Sequence, residues 1–237
     1  MADQVVIERR FRGPEESGNG GYSCGALARF VDPHAAEVTL RLPPPLDRPL
    51  EVDAVGGERV EMRDGDAVVA EAGPIGELDL DIPAPLGVEE ATAARDESPM
   101  QHEHPYPHCF VCGPKRGRED GLLVTCGPIG DGQVVASPWA VEESLPTEDG
   151  SVTPEIMWSV LDCPGGISTM LLPDVGVSVL GRLAAHLHAP IEAGTTCVAM
   201  GWPIERDGRK LHAGSAIFSE GGELLAEARA TWIELKS

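Results

Sequence analysis

A single carboxylate stands out where the residue types could do chemistry. Asp162 lies in the stretch Thr153-Pro154-Glu155-Ile156-Met157-Trp158-Ser159-Val160-Leu161-Asp162-Cys163-Pro164-Gly165-Gly166. An ionised carboxylate beside so many apolar groups needs a partner or a task, and general-base or nucleophilic work is such a task. A second candidate is Asn19-Gly20-Gly21, which opens an apolar stretch. Free N–H groups at a glycine-opened helix start can hold an oxygen that gains negative charge, helped by the helix dipole. A third is Cys109-x-x-Cys112, with His102, His104 and His108 nearby. Structural zinc usually takes two closely spaced ligand pairs, and no second Cys-x-x-Cys follows. Cys126 and Cys163 stand at no useful spacing, so no metal is expected and the segment reads as a packed loop beside the site. Cys163 reads as a small buried thiol, since no base is assigned to it. His186 and His188 alternate with Leu187 and read as surface or interface residues.

These groups need elements to position them. Pro154 suits a first helical turn, Thr153 can cap it, and Glu155 faces the positive helix start. Pro164-Gly165-Gly166 is expected to end that helix. A second helix is expected over residues 22–31, stopped by Asp32-Pro33. Strand patterns cover residues 5–10, 37–42, 50–55, 58–62 and 67–72, and then 122–125, 133–137, 183–190, 195–203, 210–219 and 223–235. Turn chemistry separates them at Gly56-Gly57, Asp64-Gly65, Gly130-Asp131-Gly132, Asp207-Gly208 and Gly221-Gly222. Val68-Val69-Ala70-Glu71-Ala72 parallels Leu224-Leu225-Ala226-Glu227-Ala228, and Leu40-Arg41-Leu42-Pro43-Pro44-Pro45 parallels His186-Leu187-His188-Ala189-Pro190-Ile191. The expected organisation is a tandem duplication: an N-terminal unit over 1–82, an acidic, unpatterned linker over 83–107 and a C-terminal unit over 108–237. Each unit reads as strand, central helix and a meander of four more strands, an α+β plan in which the helix covers the apolar face of its sheet.

The totals narrow the partners. The 237 residues carry 39 acidic against 18 basic groups, a formal charge of −21. That disfavours nucleic acid and anionic membranes, which need a basic surface. The opening Met1-Ala2-Asp3-Gln4 lacks the features of a secretory leader, and no apolar run approaches a membrane span. A cytoplasmic protein with six reduced cysteines is expected.

The order of elements resembles the hotdog fold of acyl-CoA thioesterases and dehydratases. Thioesterases of the 4-hydroxybenzoyl-CoA and phenylacetate-pathway type carry His-Gly-Gly at the start of the central helix and an acid in its next two turns. Here Asn19-Gly20-Gly21 matches that start, with Asn for His, while Ala28 falls at the acid position. In the second unit the acid is present as Asp162, and Thr153-Pro154-Glu155 replaces the glycines. His108-Cys109-Phe110-Val111-Cys112-Gly113-Pro114, followed by Asp120-Gly121-Leu122, resembles the Cys-x-x-Cys-Gly lead-in of many such enzymes. The resemblance implies a double hotdog, two five-strand antiparallel meanders each wrapping a helix and joined into one continuous sheet. It also implies one composite site, with Asp162 activating water or attacking a thioester, and Asn19, Gly20 and Gly21 binding the carbonyl oxygen. Trp158, Tyr22, Cys163, Phe110, Arg116 and Arg209 are the expected substrate contacts; Trp158 is core first. The two arginines are candidates for coenzyme A phosphates, alongside Lys115, Arg118, Arg206 and Lys210. No cofactor is implied beyond coenzyme A as part of the substrate, an acyl-CoA or acyl-carrier thioester, and double hotdogs can pair further into a homodimer. Two alternatives are an enoyl-CoA hydratase or dehydratase, whose Asp pairs with a His that does not follow Asp162 here, and a non-catalytic acyl-CoA binding module.

Overall fold

Alternation of apolar and polar residues becomes strand after strand of one antiparallel sheet in the computed structural model, which describes residues 3–130 and 132–236. Asp131, at the centre of one expected turn, and Met1 and Ala2 of the N-terminal reading lie outside the described residues. The first five strands are β1 (Asp3–Val6), β2 (Ala35–Leu40), β3 (Pro49–Gly56), β4 (Arg59–Asp64) and β5 (Ala67–Pro74). The later ones are β6 (Gly127–Ile129), β7 (Val134–Ala140), β8 (Thr147–Glu148), β9 (Ser151–Val152), β10 (Ser178–Leu187), β11 (Thr196–Asp207), β12 (Lys210–Ser219) and β13 (Leu224–Glu234). Eleven of them form the sheet β1-β3-β4-β5-β2-β10-β13-β12-β11-β7-β6, while β8 and β9 make a small hairpin. The order on one side, β1-β3-β4-β5-β2, recurs on the other as β7-β11-β12-β13-β10. The two sides meet where β2 pairs antiparallel with β10, Val38 opposite Leu183 and Ala36 opposite Ala185.

Helices α1 (Gly20–Ala28) and α3 (Pro154–Met170) share one face of this sheet and pack on each other. One continuous apolar core lies between helices and strands; Cys24, Leu27, Ile156 and Leu161 meet Val38, Leu50, Met62 and Leu183 there. The helices run antiparallel at very close range, because α1 presents glycine at one-turn spacing. A Cβ at Gly25 would lie 2.8 Å from both Glu155 Cα and Trp158 Cβ, and one at Gly21 would collide with the Trp158 carbonyl. Arg29, at the end of α1, pairs with Glu155 at the start of α3 at 3.4 Å.

Four sequence expectations change. α3 does not stop at Pro164 but continues through Gly165 and Gly166 to Met170. An interior proline forfeits one hydrogen bond at roughly 3 kcal/mol, but burial of Ile167, Ser168 and Thr169 holds the last turn in place. Glycines also admit it: a Cβ at Gly166 would strike the Trp232 ring, and one at Gly201 would strike the Pro164 backbone. The segment 83–107 is not structureless, since it contains α2 (Val88–Asp96). That helix seats Ala91 on the opposite face of the sheet, against Val198, Met200 and Phe218. Strands β11 and β12 are therefore covered on both faces, which explains their nearly unbroken apolar runs. Residues 122–125 form no strand, because Leu123 takes a φ of 54° and breaks the extension; β6 follows instead. Finally, β1 ends at Val6, since Arg9–Phe11 winds into a 3-10 turn whose first amide is held by Asp47.

Candidate functional site

Asn19 organises the site from the start of α1. Its Oδ1 accepts from the Tyr22 amide at 2.9 Å, an N-cap that fixes the side chain. The cap leaves Nδ2 pointing across to α3, where it donates to Asp162 Oδ2 at 3.0 Å. The Gly21 amide donates to the same oxygen at 2.9 Å. Gly21 has to be glycine for this, since a Cβ there would lie 2.6 Å from Asp162 Cβ. Parts of the chain 143 residues apart are thereby tied through one carboxylate oxygen.

Asp162 is 2% exposed, and its Oδ1 has no hydrogen-bond partner among the described residues. Burial pushes its carboxyl up to about 7, and the charge of Cys109 adds to that. The Gly21 amide and the Asn19 side chain pull the other way but do not prevail. Such a group exchanges a proton near neutral pH, as a general base or acid must.

Asn19, Gly20, Asp162 and Cys163 line a cavity of about 590 Å³. Its wall is largely apolar, with Leu40, Leu42, Ile167, Met170, Leu180 and Trp232, and it suits an acyl or aryl group. His104 and Tyr106, from the chain after α2, border it too. His104 accepts from the Tyr106 amide through Nδ1, while its buried Nε2 has no partner among the described residues. Arg41 is the single Arg or Lys among the lining residues, and it pairs with Glu71 at 2.8 Å.

The residues singled out from sequence divide sharply. Asp162, Asn19, Gly20, Gly21 and Cys163 come together, but the other five substrate contacts stand apart from the cavity lining. Trp158 is fully buried between the helices and donates to the Pro33 carbonyl. Tyr22 stacks on Phe11 at 3.9 Å, and Phe110 packs edge-on against both rings. Arg116 is a folded-in structural cation, its guanidinium held by the His108 carbonyl and Asp120. Arg209 donates to the Glu234 carbonyl at the β11–β12 turn. The Gly21 amide is likewise committed to Asp162 and is not free for a carbonyl oxygen in this arrangement. His186 and His188 both flank Glu227, at 3.8 and 3.4 Å.

The cysteines need a correction as well. Spacing along the chain sets Cys163 apart from Cys109 and Cys112, yet α3 delivers it to them. The three sulfurs lie within 4.8 Å of one another, with Cys109 and Cys163 at 3.8 Å. Of the cavity's other residues, Arg41, Tyr106, Leu180 and Trp232 were missed as site residues. The one usable signal was the repeat of the Leu40-Arg41-Leu42 segment, which placed it beside a strand end without saying what that end faces.

No family model matches the chain, and no curated protein matches it. Solved structures do. A TesB protein of Mycobacterium avium subsp. paratuberculosis superposes over 92% of this chain and 88% of its own, with a TM-score of 0.59 at 15% identity. A candidate thioesterase II from Thermobifida fusca covers 98% and 92%, with a TM-score of 0.60 at 14% identity. A candidate thioesterase from Novosphingobium aromaticivorans covers 98% and 95%, with a TM-score of 0.64 at 11% identity. The resemblance to hotdog-fold thioesterases drawn from sequence therefore holds at the level of the fold, over nearly the whole chain.

Proposed function

We propose that the protein is a double-hotdog thioester hydrolase acting on acyl-CoA or acyl-carrier substrates through one composite site. The observation that carries this reading is the Asp162 carboxylate, buried on α3, tied to the α1 start and facing an apolar cavity. Its Oδ2 is held by Asn19 and Gly21, so Oδ1 is the oxygen that takes a proton from water or attacks the thioester carbon. With the Gly21 amide and Asn19 Nδ2 engaged, the carbonyl oxygen falls to the Gly20 amide at the positive end of α1. The acyl group occupies the wall made by Leu180, Ile167 and Trp232. Ala28 at the matching position of α1 supplies no second acid, so one site operates per chain.

A panel of acyl-CoAs, assayed for thiol release, tests this. The wild type should hydrolyse at least one class, and Asp162→Asn should lower turnover roughly 10²–10⁴-fold, the usual weight of a positioned acid–base group. Binding without turnover by the wild type would sink the hydrolase reading and leave a binding module. A second reading has one observation in its favour: His104, invisible as a partner in the sequence, reaches the same cavity as Asp162 with Nε2 unpartnered. An Asp and a His in one cavity could hydrate an enoyl-CoA. Loss of enoyl absorbance without thiol release, in the same panel, would select that reading.

A further inference from the structure

We propose that Cys109, Cys112 and Cys163 form a zinc site whose fourth position faces the cavity. Geometry is the first support. A metal bonded to sulfur at ~2.3 Å in tetrahedral array sets its sulfurs roughly 3.8 Å apart. Cys109 and Cys163 are 3.8 Å apart, and all three sulfurs lie within 4.8 Å of one another.

The second support is the direction of the surrounding donors. Asn19 Nδ2 approaches Cys109 Sγ at 3.8 Å and Cys163 Sγ at 3.9 Å. The Val111 and Cys112 amides also point at the Cys109 sulfur. The turn that aims them is tight: the Gly113 amide donates to the Cys109 carbonyl at 3.0 Å, and a Cβ at Gly113 would lie 2.5 Å from Cys109 N. N–H groups converging on a sulfur are the outer hydrogen bonds that a metal-bound sulfur takes.

Three buried, soft cysteine sulfurs select zinc over magnesium or calcium. Zn²⁺ would displace three thiol protons to solvent, leaving a cluster of net charge −1. All three cysteines border the cavity. Three protein ligands with a fourth position open to a cavity is the pattern of zinc sites that keep an exchangeable water. The site stands whether or not the chain hydrolyses thioesters, and its test reads metal alone.

The experiment uses the full chain, reduced and stripped with a chelator, titrated with Co²⁺ and separately with Zn²⁺. Elemental analysis of the protein as purified supplies the stoichiometry. Expected are about one metal per chain, a thiolate-to-cobalt charge-transfer band and the d–d bands of a tetrahedral ion. Cys163→Ala should weaken binding by at least about tenfold, the lower end of what losing even an outer partner costs. Cys197→Ala, a buried cysteine outside the cluster, should bind as the wild type. Circular dichroism on each variant separates a lost ligand from a lost fold. Absence of the charge-transfer band in folded, reduced wild type would overturn the proposal, as would unchanged affinity in folded Cys163→Ala.

Discussion

At the scale of the residue, Asp162 holds its charge at the expense of stability. Its carboxyl titrates near 7 in the folded chain and near the ordinary carboxylate value of about 4 when unfolded. Between those limits the unfolded chain has released a proton that the folded chain still holds, so stability falls as pH rises through the window and levels above about 7. The full difference is on the order of 4 kcal/mol. Metal-stripped wild type should therefore lose stability relative to Asp162→Asn between about pH 4 and 7, measured by urea unfolding across that range. Parallel curves would show that Asp162 is not the buried acid described. Arg41 yields a second prediction at this scale. It is the one Arg or Lys lining the cavity, so under the proposed function it is the cation within reach of a coenzyme A phosphate. Arg41→Ala should raise KM for an acyl-CoA up to about fivefold, since an exposed charge is worth ~1 kcal/mol at most, and leave kcat unchanged. No change in KM would exclude it from the binding path. Asp162 was legible from sequence because a lone acid among Ile156, Trp158 and Leu161 is conspicuous. Arg41 was not, since nothing in a strand end tells which cavity it faces.

At the scale of the element, the α1–α3 contact decides whether the site exists. Glycine at Gly25 weakens α1 as a helix by about 1 kcal/mol relative to alanine. Gly25→Ala gains that amount but forces a methyl group against Glu155 Cα and Trp158 Cβ, and overpacking of this kind costs roughly 1–3 kcal/mol. The contact outweighs the propensity, so the variant should melt lower than wild type and shift Asp162 away from Gly21; a thermal melt with the acyl-CoA assay would show both. A higher melting temperature with full activity would mean the helices can part without harm. Why sequence sees some elements and not others follows from the same physics. Strands β3 to β5 and β13 announce themselves by alternation, β11 and β12 by long apolar runs, all set off by glycine turns. α2 hides because its buried face is only Ala91 and Ala94, too weak an apolar stripe to stand out between acidic neighbours. The last turn of α3 hides because Pro164-Gly165-Gly166 is a break by every local rule, and only packing on Trp232 and Gly201 overrides it. Cys163 was set apart from Cys109 for a similar reason. Separation along a chain carries no information about two residues that a third element brings together.

At the scale of the whole molecule, the recurrence of one strand order on both sides of the β2–β10 junction turns a chain of 237 residues into two interlocked halves. The junction hides an edge on each, and the helices share one core across it. The formal charge is −21. Among the described residues no helix is long and apolar enough to cross a membrane. The bond from Asn19 to Asp162 also sets a clock on synthesis. Translation proceeds at about 5–20 residues per second, so the first-made half emerges roughly 7–30 s before the acid it must hold. During that interval β2 has an open edge, the glycine face of α1 is bare, and Asn19 has only its own helix to cap. Until α3 arrives, the nascent N-terminal half therefore has one side of its shared core unclosed.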